Sequence, residues 1–344
     1  MRILMSSHVF APSVGGLETV SRMLAEEFLR QGHEVRVITQ TQRSDEAVPD
    51  AFPFELQRRP TAQRLLALVR WCDVYFHNNV SLPCAWPVLF VRRPWVVAHH
   101  VWIPKRGLIG RLKRLALRRA VGISISEAIA SDLSTPSVII PNPYDDATFR
   151  PLPDCDRDQD LIFVGRLVSD KGADLLISAV ANLHARGIEP TVTIVGTGPE
   201  EAALREQAGG LGLKKVSFVG LKNPSALVRL LNAHRILVVP SRWQEPFGIV
   251  ALEAIACGCA VAGSDGGGLR DAIGPCGATF PNGDVPALTD LLEEMLCGAD
   301  RVRALAAAAE QHLQRHKLQR VAHEYLAVFA RCLAVPGPRE CSEA

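Results

Sequence analysis

Two neighbouring stretches decide the fold: Arg235-Ile236-Leu237-Val238-Val239-Pro240-Ser241, and Glu245-Pro246-Phe247-Gly248-Ile249-Val250-Ala251-Leu252-Glu253 just beyond it. The first is a short apolar run, the pattern of a parallel strand buried on both faces. The second opens a run from Ile249 to Cys257 that reads as a helix closed by Gly258. Glu245 then lies in a strand-to-helix loop, with Glu253 about two turns further along. The amides of Phe247, Gly248, Ile249 and Val250 belong to the helix start, where N–H groups lack intrahelical acceptors and the helix dipole favours an anion.

Outward from this unit, apolar runs alternate with helix-period segments along the whole chain, which argues for parallel sheets built from βαβ units. The first half is predicted to hold strands at Ile3–Ser6, Val35–Thr39, Val74–His77, Trp95–His99, Val121–Ser124 and Val138–Pro141. The second half is predicted to hold Leu161–Gly165, Thr191–Gly196, Val216–Gly220, Ile236–Pro240 and Ala260–Ala262. A first helix from Gly16 to Arg30 would bury Leu17, Val20, Leu24 and Phe28. The Pro- and acid-rich stretch Asp145 to Asp160 has little periodicity and separates the halves. At 344 residues, 48% of them hydrophobic, the chain exceeds one compact core. The predicted organisation is a first domain over residues 1–150, a second over 151–317 and a C-terminal helix over 318–334.

Charge is unevenly spread. The net charge is +2, but residues 1–150 carry 19 Lys and Arg against 13 Asp and Glu. No acidic residue lies between Asp73 and Glu127, a window holding Arg92, Arg93, Lys105, Arg106, Arg111, Lys113, Arg114, Arg118 and Arg119. Either these form a solvated basic face, or they meet anionic lipid headgroups or a phosphate-bearing acceptor. Nucleic acid is disfavoured, since no recognisable nucleic-acid module is present. The nine cysteines lack zinc spacing, and their odd number points to reduced thiols in the cytoplasm. The N-terminal segment suits a first strand better than a secretory signal. The longest nearly uncharged run, Ser81 to Val91, is too short for the ~20 residues of a membrane span. The expectation is a cytoplasmic protein, with a peripheral contact at the inner membrane face as the alternative to full solubility. Asp154, Asp156, Asp158 and Asp160 alternate in the linker, but a linker lacks the rigid strand end that a metal site needs, so no metal ligands are predicted.

Other motifs carry chemistry. Gly15-Gly16-Leu17-Glu18 follows the first strand and opens the first helix, where backbone can approach a ligand closely and amides can face a phosphate. A flexible turn would look the same. No Gly-x-Gly-x-x-Gly follows that strand, which disfavours a dinucleotide oxidoreductase. Arg166 and Lys171 in Gly165-Arg166-Leu167-Val168-Ser169-Asp170-Lys171-Gly172 would offer two cations near a strand end. His99-His100 ends an apolar run, and Val195-Gly196-Thr197-Gly198-Pro199 turns from strand to helix. One carboxylate near a reacting centre, a second for ribose hydroxyls, and amides and cations for a diphosphate together suit a nucleotide-sugar pocket.

The Glu245-to-Glu253 stretch resembles the E-x7-E signature of retaining GT-B glycosyltransferases, and the chain over roughly residues 1–330 is similar to glycosyltransferase family 4. The resemblance implies an α/β fold of the GT-B type: two Rossmann-like, doubly wound domains facing across a cleft, the donor on the C-terminal side and the hinge closing on it. It implies retaining transfer of a sugar from a UDP- or GDP-linked donor to a glycan or lipid-linked acceptor, with no metal and no cofactor besides the donor. Arg166 and Lys171 would neutralise the departing diphosphate, Glu245 would contact the donor sugar and Glu253 the ribose. His100, favoured over His99 by the position of the preceding Pro, would orient the sugar. Gly15 and Gly16 would lie beside the diphosphate, Gly196 and Gly198 near the nucleotide, and the loop of Leu221 would read the base through main-chain groups. Phe247, Gly248, Ile249 and Val250 would supply amides. The C-terminal helix would cross back onto the first domain. Two motifs depart from the family pattern: Pro143 replaces a Gly in Pro141-Asn142-Pro143-Tyr144-Asp145, and Gly267-Gly268-Leu269-Arg270-Asp271 has Arg and Asp where Pro and Glu are usual. The first puts hinge geometry in doubt. A non-catalytic nucleotide-sugar binder would carry the same motifs and remains the competing reading.

Overall fold

The computed structural model describes residues 1–13, 15–42 and 51–334. They divide into two units, one of Met1–Pro143 together with the chain from Leu318, the other of Tyr144–Lys317.

The first unit contains β1 (Arg2–Ser7), α1 (Gly16–Arg30), β2 (Glu34–Thr39), β3 (Glu55–Arg58), α2 (Ala62–Trp71), β4 (Val74–Asn78) and α3 (Leu82–Ala85). It continues through β5 (Trp95–His99), α4 (Leu108–Leu117), β6 (Val121–Ser124), α5 (Glu127–Asp132) and β7 (Ser137–Ile139). The second unit contains β8 (Gln159–Val164), α6 (Ala173–Ala185), β9 (Val192–Val195), α7 (Glu201–Gly210), β10 (Val216–Gly220), α8 (Pro224–Ala233) and β11 (His234–Val239). It ends with α9 (Ile249–Ala256), β12 (Ala260–Ser264), α10 (Leu269–Ile273), β13 (Gly277–Phe280), α11 (Val285–Cys297), α12 (Ala299–Ala307) and α13 (Ala309–Gln314). The last helix, α14 (Leu318–Ala334), returns to the first unit.

Each unit is a parallel sheet wound in both directions. The first has strand order β3-β2-β1-β4-β5-β6-β7 and the second β10-β9-β8-β11-β12-β13. Strands are added first to one side and then to the other, so the direction reverses between β1 and β4 and again between β8 and β11. Such reversals leave a crevice at the carboxyl ends of the two strands, where ligands of doubly wound sheets bind. The central strands are buried on both faces: Ile3 to Ser7 and Val74 to Asn78 are all buried, apolar in their first part and polar at the carboxyl ends, where Ser6, Ser7, His77 and Asn78 lie. The α/β, two-domain reading of the sequence is thus borne out.

Two strands escaped the sequence reading. β3 is Glu-Leu-Gln-Arg and β13 is Gly-Ala-Thr-Phe, and both lie at sheet edges. An edge strand pairs on one side only and needs no continuous apolar run. The first helix spans the predicted residues and buries Val20, Leu24 and Phe28. Phe28 meets Phe329 of α14 at 5.7 Å between ring centroids, and Phe76 of β4 meets Tyr325 and Phe329 at 5.5 and 5.2 Å. The last helix therefore supplies core to the first unit.

The units divide earlier than the predicted 150/151 boundary. Tyr144 N–H donates to His316 O at 3.3 Å and Tyr144 pairs with Lys317, while Leu152 N–H donates to Asn232 Oδ1 at 2.8 Å. These bonds tie the segment after Pro143 to the second unit. No helix among the described residues is long and apolar enough to cross a membrane.

Candidate active site

In the second unit the chemistry gathers at the β8/β11 reversal. The loop after β8 carries Arg166 and, in a 3-10 turn, Lys171. The loop after β11 carries Ser241 and Glu245. Lys171 Nζ donates to Glu245 Oε1 at 2.5 Å, and Ser241 Oγ donates to the same oxygen at 2.7 Å. Glu245 is 9% exposed, so its charge is met by protein groups rather than water. An ammonium group has three donors; one is committed to Glu245. Lys171 and Glu245 were read from the sequence as separate contributors, one for diphosphate and one for sugar. The structure joins them in a pair with no net charge. Arg166 is exposed, and its side chain makes no ion pair or hydrogen bond among the described residues.

The Glu245 loop is clamped from two sides. Arg242 and Trp243 N–H both donate to Asp170 O, and the Arg242 guanidinium grips Asp174 at 2.6 and 2.5 Å. On the other side Gly268 N–H donates to Glu245 O at 2.7 Å, and Glu245 bridges to Gly267. Gly267 has φ +77°, and a Cβ there would lie 2.2 Å from Glu245 O. Glycine is required by both conformation and contact. The Gly267-to-Asp271 motif thus holds the Glu245 loop, whatever its departures from the family pattern.

α9 follows, with Gly248 as its N-cap residue and Glu253 in its second turn. The amides of Phe247, Gly248, Ile249 and Val250 donate to no carbonyl or side chain among the described residues. The Phe247 ring is buried, 5.7 Å from the ring of His316, so its side chain is committed to packing. α9 is apolar on nearly every side, with Ala251, Leu252, Ala254 and Ile255 buried. Glu253 keeps a partly exposed edge, yet loss of water around its carboxyl, with Asp145 adding repulsion, pushes its pKa up to about 7. No hydrogen bond joins Glu253 to the Lys171–Glu245 group among the described residues.

Gly196 and Gly198 have a packing role. Gly196 has φ +134°, and a Cβ there would stand 1.8 Å from Gly165 O; one on Gly198 would stand 2.2 Å from Leu167 O. Leu167 N–H donates to Thr197 O and Gly196 N–H to Gly220 O, each at 3.0 Å. The three loops after β8, β9 and β10 are thereby laced together, and Leu221, next in line, leaves its side chain 71% exposed.

In the first unit, Gly15 and Gly16 open α1 after β1. Gly15 has extended backbone, and a Cβ there would meet the mobile end of Glu18, so conformation does not demand glycine at 15. His100 follows β5 and is 5% exposed. Its Nε2 lies 2.7 Å from Asn78 Oδ1, and Asn78 Nδ2 donates to Ser21 Oγ at 2.7 Å. An amide oxygen only accepts, so Nε2 carries the proton and Nδ1 is left as an acceptor. Burial, with His99 adjacent, lowers the His100 pKa to about 3, and burial lowers that of His99 to about 4. Both rings are neutral at pH 7. Asn78, Ser21 and Ser241 were missed in the sequence; Asn78 ends β4 at the β1/β4 reversal, the position from which it could have been found.

Residues 146–312 match the family model of glycosyl transferases group 1, and residues 14–148 match that of glycosyltransferase family 4. The D-inositol 3-phosphate glycosyltransferase of Corynebacterium urealyticum is 33% identical over 190 residues, covering 52% of this chain and 45% of its own. The 2-deoxystreptamine N-acetyl-D-glucosaminyltransferase of Streptomyces fradiae is 35% identical over 152 residues, covering 43% and 36%. The chain thus spans less than half the length of these relatives. Two solved structures share the fold: a glycosyltransferase from Rickettsia africae (TM-score 0.81, 16% identity, 97% of this chain and 98% of that one) and Anabaena HepE in complex with UDP and glucose (0.80, 19%, 96% and 100%). With one family model over each unit, the chain belongs to the group 1, family 4 glycosyltransferases.

Proposed function

We propose that this chain transfers a sugar from a nucleoside diphosphate sugar, UDP- or GDP-linked, to a hydroxyl of a glycan or lipid-linked acceptor, with retention at the anomeric carbon. The observation that carries this reading is the grouping at the β8/β11 reversal: Lys171 paired with Glu245, and the amides of the α9 start, unpaired among the described residues, that follow Glu245 in the chain, with Arg166 in the same loop as Lys171. Such a set suits a diphosphate and the sugar attached to it. A neighbour of the same fold is known in complex with UDP-glucose, which supports the donor class.

In this reading the bond between the anomeric carbon and the diphosphate oxygen breaks while the acceptor oxygen bonds to that carbon from the same face. The acceptor proton passes to the departing phosphate oxygen. Arg166 and the two uncommitted protons of Lys171 meet the charge that develops there, together with the amides of Phe247, Gly248, Ile249 and Val250. Glu245, fixed by Lys171 and Ser241, is assigned to the donor sugar hydroxyls and Glu253 to the ribose. Main-chain groups by Gly196, Gly198 and Leu221 are assigned to the nucleotide. In the first unit Gly15, Gly16 and the neutral His100 ring are assigned to positioning the reactants.

A thermal-shift titration with UDP and GDP tests the donor assignment. A nucleotide at about 100 times its Kd stabilises the folded state by about 2.7 kcal/mol, a shift of several degrees. Absence of a shift with either nucleotide would sink the proposal. Proton NMR of the product made from an α-linked donor then reads the anomeric configuration, and an inverted product would remove retention.

A further inference from the structure

A surface of the first unit lies outside the chemistry described so far. α4, Leu-Ile-Gly-Arg-Leu-Lys-Arg-Leu-Ala-Leu, buries only Gly110 and Leu117. Its Leu108, Ile109, Leu112 and Leu115 are 73%, 64%, 45% and 61% exposed. At about 100° per residue these four occupy roughly a third of the helix circumference, opposite Leu117 and Gly110. An ordinary surface helix turns such a stripe toward its own core; α4 turns it outward. Leu89 and Phe90, at the end of the 3-10 turn Trp86–Leu89, are also exposed. Both segments cover the same face of the sheet, since Cys84, Ala85 and Leu117 share one core with Tyr75, Trp95 and Val97.

The charge carried by this stretch of chain has one sign. No carboxylate occurs in the sequence between Asp73 and Glu127. Lys105 pairs with Asp132 at 2.7 Å, whereas Arg106, Arg111, Arg118 and Arg119 are exposed and make no ion pair among the described residues.

We propose that this layer, centred on α4, docks onto the surface of an anionic lipid bilayer. Leu108, Ile109, Leu112, Leu115 and Phe90 enter the boundary between headgroups and acyl chains, and the neighbouring arginines stay among the lipid phosphates. A ten-residue helix is too short to span the hydrocarbon layer, so α4 lies in the plane of the interface. Clustered apolar side chains edged by cations fit an anionic surface better than a second copy of this chain, whose equivalent face would bring the same arginines together. The proposal stands apart from sugar transfer, and its test needs no donor.

The full chain is sedimented with vesicles of phosphatidylcholine alone and of phosphatidylcholine mixed with phosphatidylglycerol. The expected result is binding to the mixed vesicles about ten-fold or more tighter than to the neutral ones, weakening as NaCl is raised. L112S/L115S is expected to weaken binding to mixed vesicles about ten-fold. R111E/R118E is expected to abolish the salt-sensitive part. All these side chains are exposed, and unchanged melting temperatures serve as the folding control. Failure to bind either vesicle, or equal binding by wild type and L112S/L115S, overturns the proposal. So does self-association in sedimentation velocity that L112S/L115S abolishes, because the stripe then belongs to a second copy.

Discussion

Lys171 Nζ and Glu245 Oε1 stand 2.5 Å apart, one residue from the loop after β8 and the other from the loop after β11. They are 74 positions apart in sequence, and the sheet reversal is what brings them together. A carboxylate held by an ammonium and a hydroxyl is fixed in orientation, and a lysine so held is aimed rather than free. Each therefore depends on the other for its position.

This dependence gives a first prediction. With donor in excess, Lys171→Ala lowers kcat on the order of 100-fold, the scale for loss of one group that meets developing charge. Glu245→Gln lowers it too, and the double variant loses much less than the product of the single losses, because each single change already disturbs the shared contact. Steady-state kinetics of the four proteins decides. Losses that multiply would show two independent roles, and an unaltered kcat in Lys171→Ala would remove the lysine from the reaction.

Glu253 gives a pH prediction. Its folded pKa of about 7 lies above the ordinary carboxylate value of 4.5, so the folded state favours the protonated form. That contribution is fully present below pH 4.5 and is lost as pH rises through 7. Glu253→Gln should accordingly raise stability at pH 8, by on the order of 1–3 kcal/mol, and change it little at pH 4.5. Denaturant unfolding at the two pH values reads the difference, and an equal effect at both would contradict it. The same substitution weakens UDP or GDP binding, measured by calorimetry, if the carboxylate takes the ribose hydroxyls.

Asn78 accepts a hydrogen bond from His100 Nε2 and so fixes which ring nitrogen carries the proton. Asn78→Asp sets a carboxylate where the amide oxygen lay 2.7 Å from Nε2, and an adjacent anion raises the imidazole pKa from about 3. The expected outcome is a His100 titration moved upward by more than one unit in NMR, with activity lost on the acid side of the profile. A His100 resonance that still fails to titrate above pH 4 would show that the ring does not sense Asn78.

Gly196→Ala tests the lacing of the three loops. The new Cβ would press on Gly165 O and hold a φ of +134° that alanine disfavours. A loss of about 2–4 kcal/mol is expected in urea unfolding, with weaker nucleotide binding because Arg166 follows Gly165 directly. A fully stable variant would place the loop elsewhere.

The fold was legible because its signals are local. The β11 run, the α9 run and the α1 periodicity each announce an element within about a dozen residues. β3 and β13 were not, since an edge strand of Glu-Leu-Gln-Arg or Gly-Ala-Thr-Phe carries no such signal. Of the site, the charged positions and the open amides could be read as residue types in loops at strand ends. The contacts among them could not. His100 with Asn78 and Glu245 with Ser241 and Lys171 are set by sheet order and strand register, which the sequence states only indirectly. The Gly267 and Gly196 contacts are main-chain collisions avoided, and no spacing pattern reports them.

The second unit is continuous in sequence, Tyr144–Lys317, whereas the first is closed by α14. Phe28 and Phe76 wait for Tyr325 and Phe329 to complete their cluster. As the polypeptide leaves the ribosome, the half translated first is thus the half finished last. A nonsense codon or a frameshift shortly before α14 would spare the later-made half and strip the earlier one of part of its interior.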